Sequence, residues 1–194
     1  MVWRYDPVLF NERYPAEYHF RAFESIAEGI CGCTDKVVIS FLDCYGKTKR
    51  NMRGIPLETP DEEIMKRTGE RFVKTAEKYG MTVESCAETV DLSEVGVRHG
   101  SCVDPAMIER ILGVPVRVKK DKNQRPECGC VESVETGAYD TCLCGCKYCY
   151  ANDSEGAVMR RRAEYDVHAP LLCGRVEEGD RITVRRTSRI LTGE

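Results

Sequence analysis

Histidine is scarce in this chain. There are three in 194 residues, at positions 19, 99 and 168, and no two have the spacing of metal ligands. Only His99, near Cys102, is a candidate for testing. Long apolar runs are missing as well. The most apolar stretch, residues 37–42, is broken by Ser40, whereas a membrane-spanning helix needs roughly 20 residues. The opening residues Met1-Val2-Trp3-Arg4-Tyr5-Asp6 hold no apolar signal-peptide core. Neither sign of charge dominates: 29 Lys and Arg against 32 Asp and Glu give a formal net charge of −3, with the signs interspersed. Such a balance supplies no global attraction to nucleic acid or to a membrane surface. The basic run over residues 117–125 places five cations around Asp121, but no aromatic stripe interleaves it, so a solvated loop is expected there. Internal repeats and low-complexity tracts are absent. The expectation is a cytoplasmic protein with no membrane partner and with nucleic acid only a disfavoured partner.

Cysteine, by contrast, is abundant, at twelve residues. In a small exported chain that number suggests disulfides. Here the tight C-x-C and C-x-x-C spacings favour metal or cluster binding in a reducing compartment. Cys31, Cys33 and Cys44 have no obvious partners and read as ordinary thiols.

The segment Thr141-Cys142-Leu143-Cys144-Gly145-Cys146-Lys147-Tyr148-Cys149-Tyr150 carries C-x-x-x-C-x-x-C, with an aromatic residue before the last cysteine. Three thiolates on one tight loop can hold three irons of a [4Fe–4S] cubane, which normally takes four. The fourth iron is then open to a ligand that is not protein. This pattern resembles that of the radical S-adenosylmethionine (SAM) enzymes. The resemblance implies that SAM binds the open iron and is cleaved by an electron from the cluster. The resulting radical then abstracts hydrogen from a substrate, unknown here. It also implies an electron donor such as flavodoxin or ferredoxin, and it places Tyr148 near the adenine. Cys144 offers a second register. A zinc site is the alternative, with Cys146 and Cys149 as one pair and Cys128 and Cys130 as the other. A second site is readable at Cys86, Cys102, Cys128 and Cys130, for an auxiliary cluster or zinc, with Cys173 as a substitute ligand. Buried free thiols are the other reading of that set.

The backbone pattern is α/β. Residues 2–5 read as a strand ended by Asp6-Pro7. Pro15 starts a helix over residues 16–29, and residues 36–42 form a buried strand. Thr59-Pro60-Asp61-Glu62 starts the next helix, with Thr59 as cap and Ile64, Thr68, Phe72, Ala76 and Tyr79 in one stripe, and Gly80 ends it. Residues 81–85 make a third strand, giving the βαβ order of a parallel sheet. Asp104-Pro105 caps a short helix ended by Gly113. Residues 114–118 suit a strand, and residues 181–185 an edge strand. Residues 119–152 show little regular structure, and Arg160-Arg161-Arg162 reads as an exposed helix face. The expected architecture is a partial (β/α) barrel-like parallel sheet over residues 1–118, followed by a cysteine-rich, cluster-binding segment over 119–194.

Several stretches together resemble an uncharacterised bacterial family catalogued as domain of unknown function number eighteen forty-eight. They are Val2-Trp3-Arg4-Tyr5-Asp6-Pro7, Val38-Ile39-Ser40-Phe41, Cys86-Ala87-Glu88, Asp91-Leu92-Ser93, the run 119–126, Cys128-Gly129-Cys130 and residues 141–152. The family is noted for a C-terminal cysteine cluster similar to the N-terminal one of radical SAM proteins. The resemblance implies a permuted barrel with the cluster loop last. Strand ends at Arg4 and Asp6, at Asp43 and at residues 84–88 would line the site, because barrels build sites at the carboxyl ends of their strands. On this reading Arg4 and Asp6 bind the SAM carboxylate, its ribose or the substrate, or else form a structural ion pair, and Glu88 hydrogen-bonds a ribose or is simply solvated. Members carry a further N-terminal part, so the chain resembles a truncated member with an incomplete SAM pocket.

Overall fold

The computed structural model describes residues 1–44 and 46–184. Among these the chain divides into two compact units. The first comprises Met1–Asp43 and Pro56–Ser133; the second comprises Cys44–Ile55 and residues 134–184. Residues 119–133 therefore fold with the first unit.

Four strands make the first unit's sheet: β1 (Trp3–Val8), β2 (Lys36–Phe41), β3 (Thr82–Cys86) and β4 (Arg98–Gly100). All pairings are parallel, in the order β1-β2-β3-β4. The sheet is open among the described residues. Helix α1 (Ala16–Gly29) connects β1 to β2, and α3 (Glu62–Lys78) precedes β3. α1 buries Ala16, His19, Phe23 and Ala27, one side of a 3.6-residue period. α3 buries Met65, Thr68, Gly69, Phe72, Thr75 and Ala76. Both pack into one core with Val37, Ile39 and Phe41 of β2 and Val83 of β3. The rings of Phe23 and Phe72 stack at 4.2 Å, and Trp3 and Tyr5 of β1 pack on Phe23 at 4.6 and 5.3 Å. Tyr5 donates to Nδ1 of buried His19 at 2.8 Å, and His19 Nε2 donates to the Leu9 carbonyl, also at 2.8 Å. This histidine is structural, and its burial lowers its pKa.

Strand side chains alternate between faces. Because Trp3, Tyr5, Val37, Ile39 and Val83 meet the helices, Arg4, Asp6, Lys36, Ser40, Glu84 and Cys86 are dealt to the opposite face. The register supports this, since Arg4 pairs with Val38 and Val38 with Glu84. Sequence alternation alone thus puts a charged, thiol-bearing face opposite an aromatic core. Towards its amino end, Lys36 reaches Glu84 at 2.9 Å and Asp104 at 3.2 Å. Burial works to lower the Lys36 pKa, but the two carboxylates outweigh it and hold the ammonium above its ordinary range.

Several boundaries differ from expectation. β1 runs through Asp6-Pro7 to Val8. Proline is tolerated because β1 has a strand on one side only among the described residues, where a missing N–H removes no ladder bond. The register shifts between Tyr5 and Val8, which turns Val8 into the core, opposite Phe41. The cap of α3 is Asp61 and not Thr59; its carboxylate accepts from Ile64 N at 2.8 Å. Residues 114–118 form no strand of the sheet, and the N–H of Val116 is taken by Glu109 Oε1. α4 (Pro105–Leu112) matches expectation, capped by Asp104 and ended by Gly113 in the left-handed region. At the tail, residues 181–184 are not a strand, and Arg185 lies outside the described residues.

In the second unit, α2 (Gly46–Asn51) and α5 (Glu155–Ala163) are the helices. α5 is capped by Ser154, whose hydroxyl accepts from Ala157 N at 3.1 Å. Arg160, Arg161 and Arg162 are exposed on it, as read from sequence. No described helix is long and apolar enough to cross a membrane.

Candidate functional site

The cysteine loop of the second unit is irregular but tied down at several points. Asp140, at positive φ, donates its N–H to the Ala151 carbonyl at 3.1 Å, and its carboxylate accepts from Asp153 N at 2.5 Å. Lys47 of α2 reaches Asp153 at 2.6 Å and the Tyr150 carbonyl at 3.1 Å. Asn152 donates its amide to the Cys142 carbonyl at 2.7 Å, and its backbone N–H to Cys149 Sγ at 3.3 Å. Gly145 adopts φ +63° between two of the cysteines, a turn that glycine makes without strain.

These ties shape a cavity of about 490 Å³. Cys142, Cys146 and Cys149 all line it, with Asn152, Ser154 and Met159 among the other walls. Cys144 is not among the lining residues. It lies against Cys142 instead: the Cys144 N–H and then its thiol hold the Cys142 thiol below its ordinary pKa, and the same contact raises that of Cys144. Tyr148 is half-buried and does not line the cavity. Asn152 Oδ1 is buried and accepts no hydrogen bond among the described residues. An orphaned buried acceptor is costly, and it marks a place where a donor belongs. Asn152 carries no motif of its own, so sequence reading passed over it.

The first unit gathers the other predicted residues. Arg4 donates from Nε and Nη2 to one oxygen of Asp6, at 3.1 and 2.5 Å, and the other Asp6 oxygen accepts from the Ser40 hydroxyl. Arg4 Nη1 donates to Cys102 Sγ at 2.9 Å, and Cys102 stands 3.2 Å from Cys86 Sγ. Cys86 first and Arg4 second pull the Cys102 thiol down to about 5. Cys130 Sγ accepts from the backbone N–H of Cys102 at 3.1 Å and of Val103 at 3.4 Å. Cys128 and Cys130 are buried with Ala87, and Cys86 and Val103 pack against them. The loop that carries the pair is closed at its base by Asp121 N to Cys130 O and by Glu132 N to Lys119 O. Glu88 is half-buried and accepts from Phe41 N at 2.7 Å, which ties it to the end of β2. Asp43 pairs with Arg125 at 2.6 Å.

Arg4, Asp6, Glu88 and the four cysteines 86, 102, 128 and 130 thus belong to the first unit, and Cys142, Cys146, Cys149 and Tyr148 to the second. Cys31, Cys33 and Cys44 are exposed, and Cys173 is half-buried. Among the described residues no three His, Cys, Asp or Glu side chains are already arranged as ligands about one point.

Comparison with curated proteins and with solved structures returned no match. The family model described as "Domain of unknown function (DUF1848)" matches residues 1–151, a span that takes in the whole sheet and every cysteine of the loop. The chain belongs to this family, DUF1848.

Proposed function

We propose that this is an iron–sulfur protein of radical SAM type. One observation carries the reading: the three cysteines of C-x-x-x-C-x-x-C line a single cavity, and the fourth cysteine of the loop does not. The donor chemistry fits the group. Three thiols and no carboxylate or imidazole stand at the motif positions, and soft thiolate ligands suit an iron–sulfur cluster. Cys142, Cys146 and Cys149 would hold it. When bound, such a cluster with one open iron supplies the electron that cleaves SAM reductively, ahead of hydrogen abstraction from a substrate.

The chain's own residues have separate tasks. Lys47, Asp140 and Asp153 fix the loop so that its ligands are pre-set. Asn152 offers a buried acceptor at the cavity wall, suited to the amino group of SAM. Arg4 and Asp6 on β1, which runs past them to Val8, and Glu88 just beyond β3 are the proposed contacts for SAM or substrate in the first unit. An electron donor such as flavodoxin or ferredoxin is the proposed partner.

The test is iron and acid-labile sulfide in protein purified without oxygen. Cys142→Ala, Cys146→Ala and Cys149→Ala should each lose most of the iron of the loop, and Cys144→Ala should keep it. Full iron in Cys142→Ala would remove the three-cysteine assignment.

A further inference from the structure

The first unit holds six thiols that the reading above does not use, and four of them lie near one another. They come from three segments: Cys86 closes β3, Cys102 follows β4, and Cys128 and Cys130 stand on the loop 119–132. Two glycines let these segments meet. A Cβ on Gly100 would lie 2.6 Å from Glu84 Oε2 and 3.1 Å from the Ser85 carbonyl. A Cβ on Gly129 would lie 3.2 Å from the Gly100 carbonyl. Cys128-Gly129-Cys130 is therefore pressed directly against the backbone that leads to Cys102.

Three of the four sulfurs accept N–H donors. Cys130 takes the backbone of Cys102 and Val103, Cys128 takes that of Cys130 at 3.5 Å, and Cys102 takes Arg4. Donors aimed at sulfur favour the thiolate, and they orient metal-bound cysteine in the same way. Two of these sulfurs are buried in apolar surroundings, where thiolates without a cation would be costly.

We propose that Cys86, Cys102, Cys128 and Cys130 form a closed four-thiolate site for a single zinc ion. Tetrahedral zinc with bonds of about 2.3 Å sets its sulfurs about 3.8 Å apart. Cys86 and Cys102, at 3.2 Å, need only part slightly. A cubane would ask for far more, since its four thiolates sit on four separate irons. Zinc also outranks ferrous iron for such ligands. With all four positions filled by protein, the ion has no open site for chemistry. It pins the loop 119–132 to the carboxyl ends of β3 and β4. The inference stands apart from the radical SAM reading, because it uses none of Cys142, Cys144, Cys146 and Cys149.

The test uses the full chain carrying C142A, C144A, C146A and C149A together, so that the cysteine loop of the second unit contributes no thiol. Purified anaerobically with zinc in the medium, it should hold one zinc ion per chain. X-ray absorption should show sulfur neighbours only, at about 2.3 Å. Cobalt put in place of zinc should give the intense charge-transfer bands of a tetrathiolate, a readout that does not depend on ligand variants folding. Cys128→Ser should then lower zinc affinity at least 10-fold. Absence of zinc, iron with sulfide in its stead, nitrogen or oxygen neighbours, or a Cys86–Cys102 disulfide in the anaerobic protein would each overturn the proposal.

Discussion

Glu88 shows how one residue can carry a pH dependence. Burial lifts its carboxyl from the ordinary 4.5 to about 7. The Phe41 N–H pulls it back, Asp43 and Asp6 add to the rise, and Arg125 opposes it. The folded state therefore binds a proton that the unfolded chain has released across this window. Stability from this group is full below pH 4.5 and declines as pH climbs through about 7. Glu88→Gln keeps an acceptor for Phe41 and removes the charge. It should flatten the melting temperature between those pH values and raise it at pH 7.5 by a few degrees. That corresponds to on the order of 1 kcal/mol, once discounted for partial exposure. Identical pH profiles for the two proteins would refute this. At the same scale, the cysteines were legible because their spacing is chemically restrictive. Asn152 was not, because its significance lies in an oxygen left without a partner, and only packing creates that condition.

Among the elements, α3 separates two sources of stability. Its start is held by one hydrogen bond, Asp61 to Ile64 N, and its middle by Phe72, which is fully buried and stacked on Phe23. Asp61→Ala should cost about 1 kcal/mol. Phe72→Ala should cost about 3–5 kcal/mol, because it removes apolar contact and leaves a cavity between two elements. Urea unfolding of both variants measures the contrast, and equal losses would mean that the core is not where the aromatic stack places it. The sequence signals for α1 and α4 located both helices correctly, since apolar period and terminal residues agree there. Other boundaries failed for physical reasons. Asp61 displaced Thr59 because either residue can cap and only backbone geometry decides between them. Pro7 stayed inside β1 because that strand has one neighbour among the described residues, a fact of topology that local propensity does not contain. β4, three residues long and containing Gly100, is too short for alternation to show.

For the whole molecule, the parallel α/β class followed from the order of elements, and alternation along β1, β2 and β3 gave one face to the helices and the other to charge and sulfur. The division into units was less readable. Residues 119–133 join the first unit because a closed loop buries Cys128 and Cys130 there, while residues 44–55, distant in sequence from the cysteine loop, fold with it through Lys47. Such pairings are long-range, and local pattern does not encode them. On the proposed function, three loop thiols leave one iron free for SAM. The most direct measurement is the electron paramagnetic resonance spectrum of the anaerobically reduced protein, recorded with and without SAM. A [4Fe–4S]⁺ signal that shifts on adding SAM, and that is lost in Cys146→Ala but kept in Cys144→Ala, is the predicted result. A signal indifferent to SAM, or no cluster signal in protein that holds zinc at the loop, would contradict it.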